Sequence, residues 1–257
     1  MSKSNIEWTD YSWNPVTGCD KVSQGCKNCY AGNLAQTRLK HLPMYKDGFY
    51  GNVQMHFKKL TEPLHWRTPR TIFVNSMSDL FHPDVNYPFI AAIFDIMERS
   101  PQHRFIILTK RPHLALEWFR WYGKQINKGY YLEPFKNVAL MVSVEDQRTA
   151  SERIPYLLSC PAAIRGISAE PLLGQIDEFY PEKLDWIICG GESGAHARPC
   201  YPSWVTKIHN LSIRYEVPFF FKQWGSYKFN GKTLGGGKKG GRMLGGLEWN
   251  FMPKIWQ

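Results

Sequence analysis

Three cysteines lie close together near the N-terminus, in the stretch TGCDKVSQGCKNCYAG. Cys19, Cys26 and Cys29 have the spacing C-x6-C-x2-C, and the other three of the chain's six cysteines lie far along the sequence. Cysteine thiolates are ligands of zinc ions and of iron–sulfur clusters. The stretch is therefore predicted to bind a metal centre through these three side chains.

The fourth ligand decides which metal centre this is. A structural zinc ion takes four protein ligands, and His41, His82 or the distant Cys189 could complete such a set. A [4Fe–4S] cluster is normally held by four thiolates, so three thiolates leave one iron open to a cofactor or substrate. The spacing is compatible with both alternatives, a structural zinc site and an open cluster.

Composition and charge narrow the class of protein. The chain has 257 residues, of which 43% are hydrophobic, enough for one large core. Its net charge of +10 favours polyanionic partners such as nucleic acid, although a lysine-rich soluble protein has the same balance. The N-terminus is polar and no apolar run reaches the length of a membrane span. We expect a cytoplasmic protein without membrane association, whose reduced thiols serve a metal rather than disulfides.

Short apolar runs alternate with amphipathic segments along the chain. The runs have continuously apolar centres, which is typical of strands covered on both faces. Their alternation with helical segments indicates βαβ units and a parallel sheet. The predicted strands begin at Thr71, Arg104, Asn137, Ala163, Leu184 and Val217, and a weaker first strand over residues 13–18 is interrupted by Pro15.

These elements predict an α/β fold. About seven strands are one too few for a closed (β/α)8 barrel, so we expect a partial, open (β/α) barrel with a mostly parallel sheet of six to seven strands. The barrel and its cysteine loop are predicted over residues 1–225. Residues 226–257 form a Gly- and Lys-rich C-terminal tail, either a flexible basic arm or a loop packed on the barrel.

Polar residues follow each of the apolar runs. The C-terminal ends of parallel strands form the functional site of α/β folds. Any one of these groups could be an ordinary loop or helix cap, but their recurrence at every strand end predicts a functional rim. They are Asn75, Ser76, Ser78 and Asp79; Thr109, Lys110 and Arg111; Ser143, Glu145 and Asp146; Ser168 and Glu170; Glu192 and Ser193; and Lys222 and Gln223.

The stretch WFRWYGKQINKGYY, which starts at Trp118, combines aromatic and basic residues. Such residues can stack on unpaired bases of a nucleic acid. At helical spacing, an amphipathic helix that buries its aromatic side chains is the favoured interpretation.

The cysteine loop and the barrel pattern resemble the radical S-adenosylmethionine enzymes. Tyr30 beside the last cysteine fits this resemblance, whereas the usual spacing in that family is C-x3-C-x2-C and the first gap here has six residues. Nearly the whole chain also resembles a phage-associated three-cysteine-motif family, itself placed in the radical S-adenosylmethionine group and without a settled reaction. The segments that carry this second resemblance are IEWTDYSWNPVTGC, FVNSMSDLFH, ILTKRP, VSVEDQ, SAEPLLG, GGESGAHARP and FFKQWG.

The resemblance implies an enzyme in which Cys19, Cys26 and Cys29 hold a [4Fe–4S] cluster and S-adenosylmethionine binds the open iron. An electron from a donor protein then cleaves the cofactor to methionine and a 5′-deoxyadenosyl radical, which takes a hydrogen atom from the substrate. The protein orients the cofactor and excludes competing donors. We expect a nucleic acid or nucleotide-derived substrate from the charge. The alternative is a non-catalytic zinc- or Fe–S-binding module that binds nucleic acid or a partner protein.

The resemblance also implies cofactor contacts at the strand ends. Asp79, helped by Ser76 and Ser78, is expected at the methionine amine, and a helix N-cap is the alternative for Asp79. Ser143 and Glu145 lie two residues apart, so they share one face of a strand. They are expected at the ribose and methionine, with a solvated strand end as the alternative.

Further contacts are expected later in the chain. The basic pair Lys110 and Arg111 is predicted to meet the methionine carboxylate or a substrate phosphate, with a solvated surface charge as the alternative for each. Gly190 and Gly191 let the backbone approach a planar ligand and Glu192 can accept a hydrogen bond from it, although a tight turn needs glycines too. Glu170 is expected at the same rim.

Cys189 lies within the apolar run that starts at Leu184, and Cys200 lies between that run and the last one, which starts at Val217. Both lie near the expected site. As candidate catalytic residues, either thiol could donate a hydrogen atom to a product radical. A lone cysteine is otherwise small apolar filler in the core, which is the alternative for each.

Overall fold

The computed structural model describes residues 2–4, 6–126, 132–227 and 240–256. None of the helices in these ranges is long and apolar enough to cross a bilayer. The strands are β1 (Ser2–Lys3), β2 (Tyr11–Trp13), β3 (Val16–Thr17), β4 (Gln54–Met55), β5 (Thr71–Val74), β6 (Arg104–Thr109), β7 (Phe135–Ser143), β8 (Ala162–Ala169), β9 (Trp186–Gly190), β10 (Phe219–Gln223), β11 (Met243–Leu244) and β12 (Leu247–Glu248). The α-helices are α1 (Tyr30–Gln36), α2 (Tyr87–Glu98), α3 (Pro112–Gln125), α4 (Gln147–Leu158) and α5 (Pro202–Arg214), and 3-10 helices span Gln24–Cys26, Pro43–Tyr45, Phe57–Lys59, Glu62–His65, Pro181–Lys183 and Lys254–Trp256.

The main sheet has the strand order β1-β2-β5-β6-β7-β8-β9-β10. In this sheet β2 and β5 to β10 run parallel to one another, and β1 pairs antiparallel with β2 at one edge. The order begins at β1 and ends at β10, so the sheet is open. The helices α2 to α5 alternate with the parallel strands along the chain. The predicted fold class, an α/β fold with a partial, open barrel, is confirmed.

The six apolar runs form β5 to β10, as predicted. All five residues of β9 are buried, which explains its continuous apolar sequence. The extent of the first strand was predicted wrongly: β2 ends at Trp13, and β3 pairs antiparallel with β4 in a separate two-stranded sheet. Pro15 lies between β2 and β3 and lacks the N–H that a central strand must donate, so the chain leaves the main sheet there.

The chain divides into two compact units. Cysteines of the N-terminal motif occur in both of them. The first unit comprises Met1–Val22, Cys29–Met141 and Ser159–Ala163, and the second comprises Ser23–Asn28, Val142–Leu158 and Ile164–Gln257.

The first unit is built around aromatic packing between α2 and α3. Asn86 caps α2 by accepting a hydrogen bond from the N–H of Phe89 (2.9 Å). Phe94 of α2 stacks on Trp118 of α3 with ring centroids 4.4 Å apart. Trp118 and Phe119 are both buried. Residues 118–125 of the aromatic-rich stretch thus lie in an amphipathic helix that faces the core, the interpretation favoured from their spacing, while residues 127–131 of the stretch lie outside the described residues.

The second unit includes the described part of the C-terminal tail. The N–H of Phe221 in β10 donates to the carbonyl of Trp249 (2.8 Å), and the N–H of Phe251 donates to the carbonyl of Phe219 (3.2 Å). Trp186 of β9 donates from Nε1 to the carbonyl of Phe251 (2.9 Å). Residues 240–256 therefore pack on β10 and β9, while the most Lys- and Gly-rich part of the predicted tail, residues 228–239, lies outside the described residues.

Candidate functional site

Each cysteine of the N-terminal motif has a defined backbone position. Cys19 follows β3, and its N–H donates to the carbonyl of Phe49 (3.1 Å). Cys26 ends a 3-10 turn, and Cys29 is the N-cap residue of α1. All three thiols are free and partly exposed, whereas the chain's other cysteines are buried. The motif thiols are thus the ones accessible to a metal.

A buried guanidinium lies against the first of these sulfurs. Nη1 of Arg111 donates to Sγ of Cys19 (3.7 Å) and to Oδ2 of Asp79 (3.1 Å). Nη2 donates to the carbonyl of Asp20 (3.2 Å). Arg111 and Asp79 are each only 5% exposed, so water screens their charges little. Arg111 on its own favours the thiolate of Cys19, whereas the negative charge of Asp79 opposes it.

The Cys19 thiol is protonated at neutral pH in the metal-free protein. Burial raises the pKa of Cys19 to about 11, and the negative charge of Asp79 acts in the same direction, whereas Arg111 lowers it. A cysteine must lose its proton to bind a metal. Binding of a metal by Cys19 would therefore release a proton.

The carboxylate of Asp79 accepts hydrogen bonds on both oxygens. Oδ1 accepts from the N–H of Phe81 (3.1 Å) and from Oγ1 of Thr109 (2.8 Å). Oδ2 accepts from the N–H of Lys110 (3.0 Å) and from Arg111. Asp79 thus organises the turn after β5 and ties it to the end of β6.

The serines that precede Asp79 also have partners in the first unit. Oγ of Ser76 donates to Oδ1 of Asn14 (3.2 Å), and Oγ of Ser78 donates to the carbonyl of Val16 (3.1 Å). The hydroxyl of Tyr30 donates to the carbonyl of Ser76 (2.6 Å). Asn14, Tyr30 and Ser76 line a cavity of about 460 Å³ together with leucine and methionine side chains. The residue after Cys29 therefore borders a space large enough for a small molecule.

In the second unit, Glu145 holds one end of the segment that carries Cys26. Its Oε1 accepts from Oγ of Ser23 (2.8 Å), and Nη1 of Arg153 donates to both of its oxygens (3.2 Å each). The same nitrogen donates to the carbonyl of Ser143 (2.7 Å). A Cβ at Gly25 would lie 2.4 Å from Oε1 of Glu145, so only glycine fits there. Glu145 itself is 1% exposed.

Glu192 holds the other end of this segment. Arg198 donates from Nε to Oε2 (2.9 Å) and from Nη2 to Oε1 (2.6 Å). Asn28 donates from Nδ2 to Oε2 (3.0 Å), and Nη2 of Arg198 also donates to the carbonyl of Gln24 (2.9 Å). Burial on its own would raise the pKa of Glu192, but the hydrogen bonds from Arg198 and Asn28 lower it below its usual value. The ionised carboxylate thereby links the residues after β9 to the cysteine motif.

The ends of β8, β9 and β10 bring a further ion pair together. Nζ of Lys222 lies 2.5 Å from Oε1 of Glu170, and a Cβ at Gly190 would touch both side chains at 3.4 to 3.6 Å. Ser168 lies near the end of β8, two residues before Glu170. Its buried Oγ has no hydrogen-bond partner among the described residues. The structure thus joins Glu170 and Gly190 with Lys222 in one polar group.

The two candidate hydrogen donors are core residues. Cys189 and Cys200 are both fully buried. Burial raises the pKa of Cys200 to about 12, and burial, followed by the nearby Cys200 and Glu170, raises that of Cys189. Both thiols keep their hydrogen at neutral pH, and their role as donors stays a prediction. Beside them, a Cβ at Gly191 would lie 2.5 Å from the carbonyl oxygen of Trp224, so packing alone requires this glycine.

The histidines considered for a zinc site differ in their surroundings. His41 is exposed. His82 is buried, with Nε2 3.1 Å from Oδ2 of Asp20, and its Nδ1 accepts from the N–H of Asp84 (3.2 Å). The ligand atoms of Asp20, His82 and Asp84 lie within 4.8 Å of one another. Both ring nitrogens of His82 therefore have protein partners within the first unit.

Three residues that contact the buried glutamates were not predicted from the sequence. Arg153 lies on the apolar face of α4 between Ala150 and Ile154, and a basic residue in such a stripe indicates a buried partner. That pattern could have identified it. Ser23 and Asn28 have no comparable local pattern, because their glutamate partners lie 122 and 164 residues away.

Comparison with known proteins assigns the chain to a family. Residues 3–253 match a family described as Protein of unknown function (DUF5131). No curated protein and no solved structure matches the chain. Because the match covers nearly all of the 257 residues, the chain belongs to the DUF5131 family.

Proposed function

We propose that this chain is a radical S-adenosylmethionine enzyme, which holds a [4Fe–4S] cluster through Cys19, Cys26 and Cys29 and cleaves S-adenosylmethionine reductively. The observation that carries the proposal is the contact between the buried Arg111 guanidinium and Sγ of Cys19 (3.7 Å). It occurs in a motif whose three thiols are free and partly exposed. Arg111 lowers the pKa of Cys19 against the larger effect of burial, and its guanidinium can pair with the thiolate once a metal has displaced the proton. The resemblance of the motif series to radical S-adenosylmethionine enzymes supports the same conclusion.

The donor set suits a cluster with one open iron. Cys160, Cys189 and Cys200 are buried, so the accessible sulfur ligands are the three of the motif. His82, which could have completed a zinc site, already has partners on both ring nitrogens. When bound, such a cluster supplies one electron to the cofactor and leaves one iron for the amine and carboxylate of its methionine part.

Arg111 and Asp79 support the cluster ligands in this proposal. The guanidinium offsets part of the negative charge of the thiolates and donates a charge-assisted hydrogen bond to one of them. Asp79 accepts from the same Arg111 nitrogen that contacts Cys19, and it also accepts from three further donors. Because these donors occupy its oxygens, we favour Asp79 as a support for Arg111 over direct contact with the methionine amine.

We place cofactor contacts at the ends of β8, β9 and β10. Lys222 offers a cationic donor, Glu170 offers an acceptor, and Gly190 leaves the backbone approachable. This combination fits a zwitterionic amino-acid group. Contacts from Ser76, Ser78, Lys110, Ser143 and Gly191 stay predictions of the resemblance.

The substrate proposal rests on charge. A net charge of +10 favours a polyanion, so we propose a nucleic acid or nucleotide-derived substrate. An electron donor protein is required to reduce the cluster. A cytoplasmic location follows in the same proposal, because thiol ligands stay reduced there.

Metal content and cofactor cleavage test this function. The protein is reconstituted anaerobically with iron and sulfide, its iron and zinc are quantified, and 5′-deoxyadenosine is measured after adding S-adenosylmethionine and dithionite. We expect about four irons per chain, with 5′-deoxyadenosine formed by the wild type and lost in Cys26→Ser. One tight zinc and no iron would contradict the proposal and favour the non-catalytic metal-binding module instead.

A further inference from the structure

The segment Ser23–Asn28 belongs to the second unit, although the cysteines before and after it belong to the first. It carries Cys26 at the end of its 3-10 turn. A segment this short has little core of its own, so its conformation depends on the side chains that hold it. Two buried glutamates, Glu145 and Glu192, provide those contacts.

Glu145 acts at the start of the segment. Its contact with Oγ of Ser23 (2.8 Å) lies three residues before Cys26, and the Ser23 hydroxyl is itself 3.8 Å from Sγ of Cys26. Arg153 donates to both carboxylate oxygens, so the carboxylate cannot swing away without leaving the buried arginine without its ion-pair partner. The absence of a side chain at Gly25 lets the turn lie directly on this carboxylate.

Glu192 acts at the end of the segment. It accepts from Asn28, whose Nδ2 also donates to the carbonyl of His196 (2.7 Å). Arg198 binds Glu192 through two nitrogens and reaches the carbonyl of Gln24 (2.9 Å). Both ends of the turn that carries Cys26 are therefore held by a glutamate–arginine pair.

We infer that Glu145 and Glu192 are positioning residues that fix Cys26 for metal binding, a reassignment of two side chains first expected to contact the cofactor. The inference rests on the proposed function, since it concerns the same cluster. A cluster is retained only while all of its thiolates stay in place, and groups that orient metal ligands typically contribute about 10- to 100-fold in metal affinity. The two carboxylates act through the loop and need not touch the metal.

Four variants separate positioning of Cys26 from a general stabilisation of the fold. Ser23→Ala and Asn28→Ala remove only the partners on the loop side and leave both glutamate–arginine pairs intact. Glu145→Gln and Glu192→Gln keep the side-chain shape but weaken the charge-assisted bonds. Glu152→Gln is the matched control, because Glu152 also pairs with an arginine, Arg148 (3.4 Å), but on the exposed face of α4.

Iron retention is the main readout. Each protein is reconstituted anaerobically, and the rate of iron loss to a chelator is followed together with the electron paramagnetic resonance spectrum of the reduced cluster. We expect about tenfold faster iron loss in the loop-side and glutamate variants, and wild-type behaviour in Glu152→Gln. Melting temperatures of the metal-free Ser23→Ala and Asn28→Ala proteins should stay close to that of the wild type. Iron loss at the wild-type rate in all four variants would overturn the inference.

Amide hydrogen exchange separates this inference from the proposed function. In metal-free protein, exchange in the peptide that contains residues 23–28 should be faster in Asn28→Ala and Glu192→Gln than in the wild type. Unchanged exchange would refute the positioning role even if the wild type loads a cluster. A wild type that takes up no iron would refute the proposed function, and the exchange result would still decide whether these glutamates hold the loop.

Discussion

The guanidinium of Arg111 lies 3.7 Å from the sulfur of Cys19, and the same nitrogen, Nη1, also donates to the buried carboxylate of Asp79 (3.1 Å). This contact joins the second residue after β6 to the first cysteine of the motif. Arginine is suited to this place because it stays charged when buried and its planar group can serve two partners. The arrangement makes the properties of a metal bound at Cys19 depend on a side chain that does not bind the metal.

Replacing Arg111 should change the reduction potential of the cluster. Arg111→Gln removes a positive charge and a hydrogen bond beside a ligand sulfur, so the more negative reduced state becomes less stable and the potential falls. Redox titration followed by electron paramagnetic resonance measures this shift. Arg148→Gln, at an exposed arginine, should leave the potential unchanged. A loaded Arg111→Gln protein with the wild-type potential would refute the role of this contact.

Adding a methyl group at Gly25 should disturb the cysteine segment. The new Cβ would lie within 2.4 to 2.8 Å of three side-chain atoms of Glu145, which cannot yield freely because Arg153 binds both of its oxygens. We expect Gly25→Ala to lower the free energy of unfolding by about 1–3 kcal/mol. Gly190→Ala is the control, since its new Cβ would make only ordinary contacts at 3.4 Å. Equal stabilities of the two variants in denaturant titrations would contradict this account.

Acid should remove the stabilisation that Glu192 provides. Its pKa is lowered in the folded protein from a usual value of 4.5, so the ionised carboxylate stabilises the fold above pH 4.5 and loses this effect as the pH falls through the lower, folded-state pKa. Glu192→Gln has nothing to titrate at this position. The difference in unfolding free energy between wild type and variant should therefore be largest near neutral pH and shrink below pH 4.5. A difference that is constant over this pH range would contradict the prediction.

Removing the charge of Lys222 should weaken cofactor binding. In Lys222→Met the proposed contact to the methionine carboxylate is lost, and Glu170 is left without its ion-pair partner. A charge-assisted hydrogen bond contributes roughly 1.5–3 kcal/mol, so the Kd for S-adenosylmethionine should rise by about tenfold or more. Calorimetric titration of the loaded protein measures this change. Lys207→Met is the control, because Lys207 forms an ion pair with Asp177 on the surface and should bind the cofactor normally. An unchanged Kd in Lys222→Met would remove this residue from the site.

Only the motif cysteines should be needed for the metal. Cys19→Ser, Cys26→Ser and Cys29→Ser each delete one soft ligand, and we expect each variant to lose most of its iron after reconstitution. Cys160→Ser alters a buried cysteine outside the motif and should keep the wild-type iron content if it folds. Iron content and the charge-transfer absorption of the cluster are the measurements. A loaded Cys26→Ser protein would contradict the proposed ligand set.

The main strands could be predicted because each carries its own local pattern. β9 is apolar at nearly every position because both of its faces are covered. The apolar runs of β5 to β8 and of β10 are also continuous enough to indicate buried strands. The first strand could not be predicted in its full form. Pro15 predicted that this strand is interrupted. The pairing of Val16 with Met55, which places the following residues in a separate sheet, has no local pattern in the sequence.

The candidate site could be predicted as a set of positions but not as a set of contacts. Asp79, Glu145 and Glu192 were each located by their place after a strand. Their partners are set by tertiary packing: Asp79 binds an arginine 32 residues away, and Glu145 binds a serine 122 residues away. A single sequence contains no local pattern for such pairs, so the expected cofactor contacts of these carboxylates could not be distinguished from protein contacts.

The most direct test of the central claim is electron paramagnetic resonance of the anaerobically reconstituted and reduced protein, with and without S-adenosylmethionine. If Cys19, Cys26 and Cys29 leave one iron open, the spectrum of a [4Fe–4S]⁺ cluster should be present without the cofactor and should change its g-values when the cofactor is added. A protein that binds zinc and shows no cluster spectrum, or a cluster whose spectrum is the same with and without S-adenosylmethionine, would contradict the account.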